Sequence, residues 1–553
     1  MKKPGIVLGA LVAGLLTLPL LAVMFLGEAI AGFPFVPFGL FINVRDYTPG
    51  GVITKTIETM QSVIRTLQLT PSDVWAKRGE ESIGIIMVLV IVLIAGAIFF
   101  RFMNRMERRQ EWIPGAIFGL IVGIPLTVVN MVGNQVFTAD HLTSVIWLIG
   151  LFLLWGYANN WAYNKLTYQM ALSQPRQAPA VPGEKAEVNA IDRRRFLIQL
   201  GGATAAITVV GAFVGSMAAD QSSIRTIADG SIPEATEPPQ ANLPNSNASV
   251  VPAPGTRSEL TPVNQFYRID ISLVPPDIDL AGWTLPFVIT NSDGSQTQLA
   301  NLKMDDIRKL PSMDQYITQG CISNQIAGDL ISTVKWTGAS MQEVLKLVKM
   351  PADATHLLIS GADGFFETVS LDLINKDPTI MLGYDWDGQP LPTEHGFPIR
   401  IHVSDLYGMK QPKWITGIEV LNHDVDGYWV VRGWDKVAQV RTVSVVDTVA
   451  TGSVVTDAGG KKLIPVGGIA WAGARSISKV EVSVDGSDWV QAQLREPLSK
   501  KTWVIWRYDW PFAAGTHTFA VRAYDGTGQL QITDSAPEHP SGATGIHQVS
   551  VTV

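Results

Sequence analysis

A chain of 553 residues that is 47% hydrophobic and only 16% charged is too long for one ordinary domain. At a mean hydropathy of +0.20 it is also too apolar to be disordered throughout. The formal net charge of −7 gives no basic footprint for nucleic acid, and the single cysteine excludes an intramolecular disulfide framework, a cysteine zinc cluster and a protein-ligated iron–sulfur cube.

The apolar excess comes first in the chain. Residues 5–27 carry no charge, and similar runs follow near 82–100, 113–133, 142–162 and 196–218. Runs of this length predict a membrane α-helical region of about five spans within residues 1–219. Lys2 and Lys3, then Arg101, Arg105, Arg108 and Arg109, then Arg193, Arg194 and Arg195 mark one side; segments 28–81 and 134–141 are mixed or nearly uncharged. The positive-inside rule therefore predicts a multi-pass cell-membrane protein, with its N terminus cytoplasmic and everything after residue 218 extracytoplasmic. Of eight histidines only His141 precedes residue 350, so these helices lack the axial pairs that a membrane haem needs. An anchor or a docking surface for another subunit is expected. The stretch ITKTIETMQSVIRTLQL within 28–81 reads equally as a helix lying on the membrane or a packed one.

The fifth run, DRRRFLIQLGGATAAITVVG, resembles a twin-arginine export signal, with Arg193 and Arg194 followed by Phe196 and Leu197. Its arginines also satisfy the positive-inside rule alone. Residues 220–262 are rich in Pro, Ser, Asn and Ala and are expected to be a semi-extended linker.

Residues 263–450 mix short β-rich runs with helical ones such as SMQEVLKLV and LDLINKD, an α+β pattern. Cys321, in GCISNQIAGDL, follows Gly320 and precedes Ser323-Asn324, which places it on a turn at a strand end. A soft thiolate there can ligate a metal; a buried inert thiol is the alternative. A nucleophilic role would need a base from His356, His395 or His402, which spacing does not decide. In LPTEHGFPIRIHVSDLYGMKQPKW, the donors His395, Arg400, Lys410 and Lys413 lie among glycines and prolines. That composition suits a bound phosphate or other anion, or else a solvated surface. Residues 451–553 alternate: Val480, Val482 and Val484, then Phe519, Val521 and Ala523, with turns at Asp485-Gly486 and Asp525-Gly526. An all-β immunoglobulin-like sandwich is expected there.

With these motifs in hand, residues 263–553 resemble the sulfite-oxidase family of molybdopterin oxidoreductases. GCISNQIAGDL resembles the segment that bears the family's molybdenum-ligating cysteine; LPTEHGFPIR and GMKQPKW resemble its pterin-binding segments; QFYRIDISLVPP resembles the segment before its first strands. The resemblance implies a molybdenum-molybdopterin cofactor with Cys321 as its metal ligand. It implies that His395 and Arg400 bind the pterin and its phosphate. Lys413, with the backbone of Gln411 and Pro412, would hold the pterin's other side, and Tyr267, Arg268 and Asp363 would be further contacts. The implied reaction is two-electron oxygen-atom transfer between Mo(VI) and Mo(IV). The C-terminal sandwich would be a dimerisation domain, giving a homodimer.

The substrate side departs from the family. Ile269 stands where sulfite oxidases place an arginine, Gln325-Ile326 replaces an arginine-rich pair, Trp434 aligns with the catalytic tyrosine and His539 with a C-terminal arginine. Arg268, Arg432, Trp434 and His539 are therefore candidates for a different small-molecule pocket, and sulfite, a dianion near neutral pH, is disfavoured. With no haem domain in the chain, a separate cytochrome or quinone-linked membrane partner is expected to exchange the electrons. A reductase of a sulfoxide or another oxo substrate, and a non-catalytic subunit of a respiratory complex, are the alternatives.

Overall fold

The computed structural model describes residues 3–106, 111–132, 139–172, 191–226 and 243–553. Lys2, Arg108, Arg109, most of 134–141 and residues 227–242 of the expected linker lie outside them, as do the side chains of Arg193 and Arg194. The chain divides into two compact units. The first comprises Met1–Thr48, Lys77–Asp229 and Ser272–Val274; the second comprises Pro49–Ala76, Gly230–Ile271 and Pro275–Val553.

The first unit is helical. It holds α1 (Ile6–Ala31), α2 (Val36–Tyr47), most of α4 (Ser72–Met103), α5 (Ile113–Val132), α6 (His141–Leu172) and α7 (Ile191–Thr226). Between α2 and α4 the chain forms α3 (Gly50–Thr66), which belongs to the second unit. Among the described residues, four helices are long and apolar enough to cross a membrane: Ile6–Ala31, Ser72–Met103, Ile113–Val132 and His141–Tyr168. The expected span at 196–218 falls within α7, where the described stretch Arg195–Gly211 is apolar. With lipid as apolar as the side chains, helix association rests on close backbone approach. A Cβ on Gly115 of α5 would sit 2.7 Å from the Gly156 carbonyl of α6, so this seam needs glycine. Trp155 Nε1 donates to Thr17 Oγ1 at 3.0 Å, which satisfies a buried polar pair between α6 and α1.

In the second unit, two sheets enclose an apolar core. In one, Leu285–Thr290 lies antiparallel to Gln296–Leu302 and parallel to Ile415–Leu421, followed by His356–Gly361 and Phe366–Ser370. In the other, Ser312–Gly320 pairs with Ile331–Ser340, then Met381–Trp386, which is flanked by Arg400–His402. Phe287 and Ile359 from the first sheet and Ala339 and Leu382 from the second are wholly buried in one cluster. The two helical runs expected from sequence form Met341–Leu345 and Leu371–Lys376, capped by Ser340 and Ser370. This is the α+β arrangement the patterning predicts.

The C-terminal residues form two antiparallel sheets packed face to face. Val443–Val449, Lys462–Trp471 and Val504–Pro511 build one, and Ile477–Val484, Thr516–Asp525 and His547–Thr552 the other. The alternating positions meet in the middle: Val480, Phe519, Val521 and Ala523 are fully buried with Val466 and Trp506. Asp485 and Gly486 both take positive φ, 54° and 73°, as a tight hairpin turn requires.

Two segments differ from expectation or resolve it. Residues 243–262 contain no helix or strand, yet they are not a slack linker. Asn245 Nδ2 donates to Glu259 Oε1 at 2.7 Å and to the Glu496 carbonyl at 2.6 Å, Glu259 pairs with Arg495, and Arg257 forms a salt bridge with Asp447 at 2.7 Å. Long-range polar contacts replace the apolar periodicity these residues lack. The amphipathic stretch 53–69 is a packed helix, α3, whose Ile53, Thr54 and Ile64 are buried within the second unit.

Candidate functional site

The site grows out of the strand Ser312–Gly320. The strand ends at Gly320, and the chain turns so that Cys321 N–H donates to the Leu330 carbonyl at 3.0 Å. Cys321 is 8% exposed, its Sγ 3.0 Å from Ser323 Oγ. Burial raises the thiol's pKa, against the pull of the Ser323 hydrogen bond. The thiol belongs to an aromatic cluster with Phe266, Tyr267, Trp336 and Trp386. Burial raises the Tyr267 pKa well above the ordinary phenol value, with Cys321 adding to the effect.

The 3₁₀ turn Thr393–His395 and Gly396 set His395 against the paired rings of Phe266 and Trp386, at 5.2 and 4.8 Å. Gly396 has φ 115°, and a Cβ there would lie 3.2 Å from the Cβ atoms of both Arg400 and Lys413. Only glycine lets the loop pass between these two cations. Arg400 Nη1 donates to the His395 carbonyl at 3.0 Å, and its guanidinium lies 5.1 Å from the Trp336 ring centre. Lys413 Nζ donates to Asp270 Oδ2 at 2.8 Å, and Arg268 Nε donates to the same oxygen at 2.9 Å.

Electrostatics describe a site with surplus positive charge. Burial holds Lys413 down to about 8, with Arg268 and Arg400 pushing the same way and Asp270 opposing. Burial lowers Arg400 to about 10. The His395 pKa is lowered well below its ordinary value by burial, then by Lys413, Arg400 and Arg268. Asp363, whose Oδ1 accepts from Phe365 N–H at 3.1 Å, is raised to about 6 by burial and then by Asp270. Arg268 and Lys413 thus converge on one buried carboxylate with the buried Arg400 close by, an arrangement that a bound anion would suit.

Other candidates lie differently. Lys410 turns away into a buried ion pair with Glu367 at 2.6 Å, so it is not one of the converging donors. The Gln411 side chain accepts from His402 Nδ1 at 2.9 Å and donates to the Leu406 carbonyl at 2.9 Å, and the Pro412 carbonyl accepts from Ile401 N–H. These contacts brace the loop that carries Lys413. Arg432, Trp434 and His539 form a second group. The His539 ring lies 5.0 Å from that of Trp434, and its Nε2 donates to the Gly433 carbonyl at 3.1 Å. Arg432 folds back over the Tyr428 ring at 3.6 Å. Trp434 shares an apolar cluster with Ile322, the residue after Cys321. Arg268 belongs by its Asp270 contact to the first group rather than this one.

Sequence reading missed Asp270, which is 1% exposed and bridges Arg268 and Lys413. Its signal was present in QFYRIDIS, because residues two apart on an extended segment share a face. It also missed Asp73, which accepts from Arg268 N–H at 2.7 Å.

Residues 272–429 match the family described as oxidoreductase molybdopterin binding domain, and residues 435–538 the one described as Mo-co oxidoreductase dimerisation domain. Mitochondrial sulfite oxidase of Rattus norvegicus is 27% identical over 303 residues, 47% of this chain and 55% of the relative. The chain spans about half the length of the curated relatives it matches. A putative protein-methionine-sulfoxide reductase subunit, YedZ1 of Azospira oryzae, is 30% identical over 133 residues, 24% of this chain and 48% of the relative. The solved sulfane dehydrogenase SoxCD from Paracoccus pantotrophus is similar with a TM-score of 0.47 at 17% identity, over 59% of this chain and 89% of that one. With the cysteine turn and the two pterin-like segments joined in one site, residues 272–538 belong to the sulfite-oxidase family of molybdopterin-dependent oxidoreductases.

Proposed function

We propose that this chain is a membrane-anchored, extracytoplasmic oxidoreductase performing two-electron oxygen-atom transfer on a small substrate of low negative charge. The observation that carries the reading is the buried Cys321 thiol at a strand end, in one aromatic cluster with Tyr267 and near the cationic group His395, Arg400 and Lys413. These residues fit the family's molybdenum-molybdopterin cofactor: a soft ligand for the metal, and surplus positive charge for a phosphate-bearing pterin. When bound, the cofactor supplies a metal that changes oxidation state by two electrons as an oxygen atom is gained or lost. Cys321 would release its proton on ligation, since only the thiolate binds metal. Arg400 and Lys413 would hold the anionic end of the pterin, and Asp270 would orient Lys413 and Arg268.

Sulfite fits the remaining pocket poorly. Ile269, Gln325, Ile326 and Trp434 carry no charge where the resemblance expects cations or a phenol. A sulfoxide or other neutral oxo substrate, running the reaction as a reductase, is supported by two buried donors. Trp434 Nε1 and Arg432 Nε lack a hydrogen-bond partner among the described residues, and either could donate to a neutral acceptor oxygen.

Folding supports the crossing count. Pro49–Ala76 belongs to one compact unit with residues 243–271 and 275–553; with that unit on one side of a bilayer, the chain between would cross an even number of times. The helices α4, α5 and α6 give three crossings, and α7 would be the fourth. Together with α1 this supports five crossings, a cytoplasmic N terminus and Arg101, Arg105 and Arg195 near the cytoplasmic face. Electrons would pass to or from a separate cytochrome or quinone-linked partner, and the dimerisation-type domain supports a homodimer.

The test is molybdenum and pterin content of the detergent-purified full chain, with sulfite and dimethyl sulfoxide turnover using artificial electron acceptors and donors. About one molybdenum per chain is expected, lost in Cys321→Ser. A folded chain without cofactor from a competent host would instead indicate a non-catalytic subunit.

A further inference from the structure

The second unit includes a segment from the helical part of the chain that lies outside the molybdopterin-domain matches, Pro49–Ala76. It is fastened at points that all carry candidate site residues. At its start, Thr54 Oγ1 donates to the Arg432 carbonyl at 3.2 Å, and a Cβ on Gly50 would come within 2.7 Å of Arg432 Cα. One turn on, Glu58 Oε1 lies 3.9 Å from His539 Nδ1. At its end, Asp73 accepts from Arg268 N–H at 2.7 Å, and Ser72 N–H donates to Asp329 Oδ2 at 2.8 Å, on the loop that begins at Cys321.

Polar atoms on both sides of this seam lack partners. Gln61 Oε1 on α3, Arg432 Nε and Trp434 Nε1 are buried and lack hydrogen-bond partners among the described residues, and Trp434 is only 7% exposed. Buried polar atoms in native proteins are normally satisfied, so each is a group that a ligand could engage.

We propose that Pro49–Ala76 is a specificity-determining wall of the substrate pocket, bridging the loops of Arg432, His539, Arg268 and Cys321 and limiting the size and charge of what reaches the metal site. The assignment rests on the reading of Cys321 as the centre of that site. The wall brings a carboxylate, Glu58, to the His539 side, so it selects further against anions. It is made of chain that precedes the cofactor domain by some two hundred residues and emerges between two apolar helices.

Cys321 is the chain's only cysteine, so its alkylation in cofactor-free full-length protein gauges access along the route a substrate would take. The wild type should react with iodoacetamide and resist a bulky maleimide dye. Thr54→Val, which cuts the first anchor, and Asp73→Ala with Asp329→Ala, which removes both acceptors of the last, should each speed dye labelling on the order of ten-fold while changing the iodoacetamide rate little. Unchanged melting temperature confirms that the fold is intact. Equal dye rates in wild type and both variants, or a wild type that labels with dye as fast as with iodoacetamide, would overturn the wall. Because the measurement needs no turnover, its failure is separable from absence of molybdenum, which would instead sink the enzyme reading.

Discussion

Asp270 shows how much one carboxylate can hold. It is almost wholly buried and pairs with both Arg268 and Lys413, so removing it takes a buried ion-pair partner from two cations at once. Breaking a buried pair in this way costs about 3–5 kcal/mol. Asp270→Ala should therefore lower the melting temperature of the cofactor-free protein, and phosphate at high concentration should recover part of the loss by taking the vacated role. A melting curve indifferent to both changes would contradict the account. His402 sets a pH dependence at the same scale. Burial and then Lys501 hold its pKa down to about 3 from an ordinary 6.5, so its neutral form favours the fold above pH 6.5 and that stability is lost as the pH falls toward 3. By pH 5 the loss is about 2 kcal/mol. His395 shifts in the same direction. Asp363 opposes: raised from 3.8 to about 6, it contributes stability that is present at low pH and disappears as the pH rises through 6. His402→Asn should therefore lessen the loss of melting temperature between pH 7 and pH 5 relative to the wild type.

Elements were legible wherever burial is periodic. Val480, Val482, Phe519 and Val521 alternate in the sequence and are buried in the structure, because a strand with one covered face cannot be written otherwise. The cysteine turn was legible from Gly320 and Ser323-Asn324, and the pterin-like segments from their glycines and cations. What escaped is what depends on distant partners. An amphipathic helix announces that its Ile53 and Ile64 must be covered, but not by what. Residues 243–262 have no period, and their order comes from Arg495, Glu496 and Asp447, some two hundred residues away. Lys410 looked like its neighbour Lys413, and only the fold shows that Glu367 takes it. The converging group was readable as composition; its division into a cationic half around Asp270 and a Trp434 half was not.

At the scale of the whole molecule, parity makes a sharp prediction. Alkaline phosphatase fused after Thr48 or after Thr226 should be active, and fused after Arg105 or after Leu172 inactive, since that reporter folds only outside the cytoplasm. Activity after Arg105, or silence after Thr226, would break the five-crossing arrangement. The apolar run at 196–218 and the membership of Pro49–Ala76 in the second unit both favour a crossing by α7.

That same membership bears on how the protein is made. Pro49–Ala76 is synthesised and, in the proposed arrangement, delivered outside long before the cofactor domain exists. A domain that acquires its cofactor in the cytoplasm and is exported already folded behind Arg193 and Arg194 would travel without this piece and meet it only on arrival. Maturation would then end in an intramolecular docking step, and newly loaded protein inside the cell would carry an open, unselective centre until it had left.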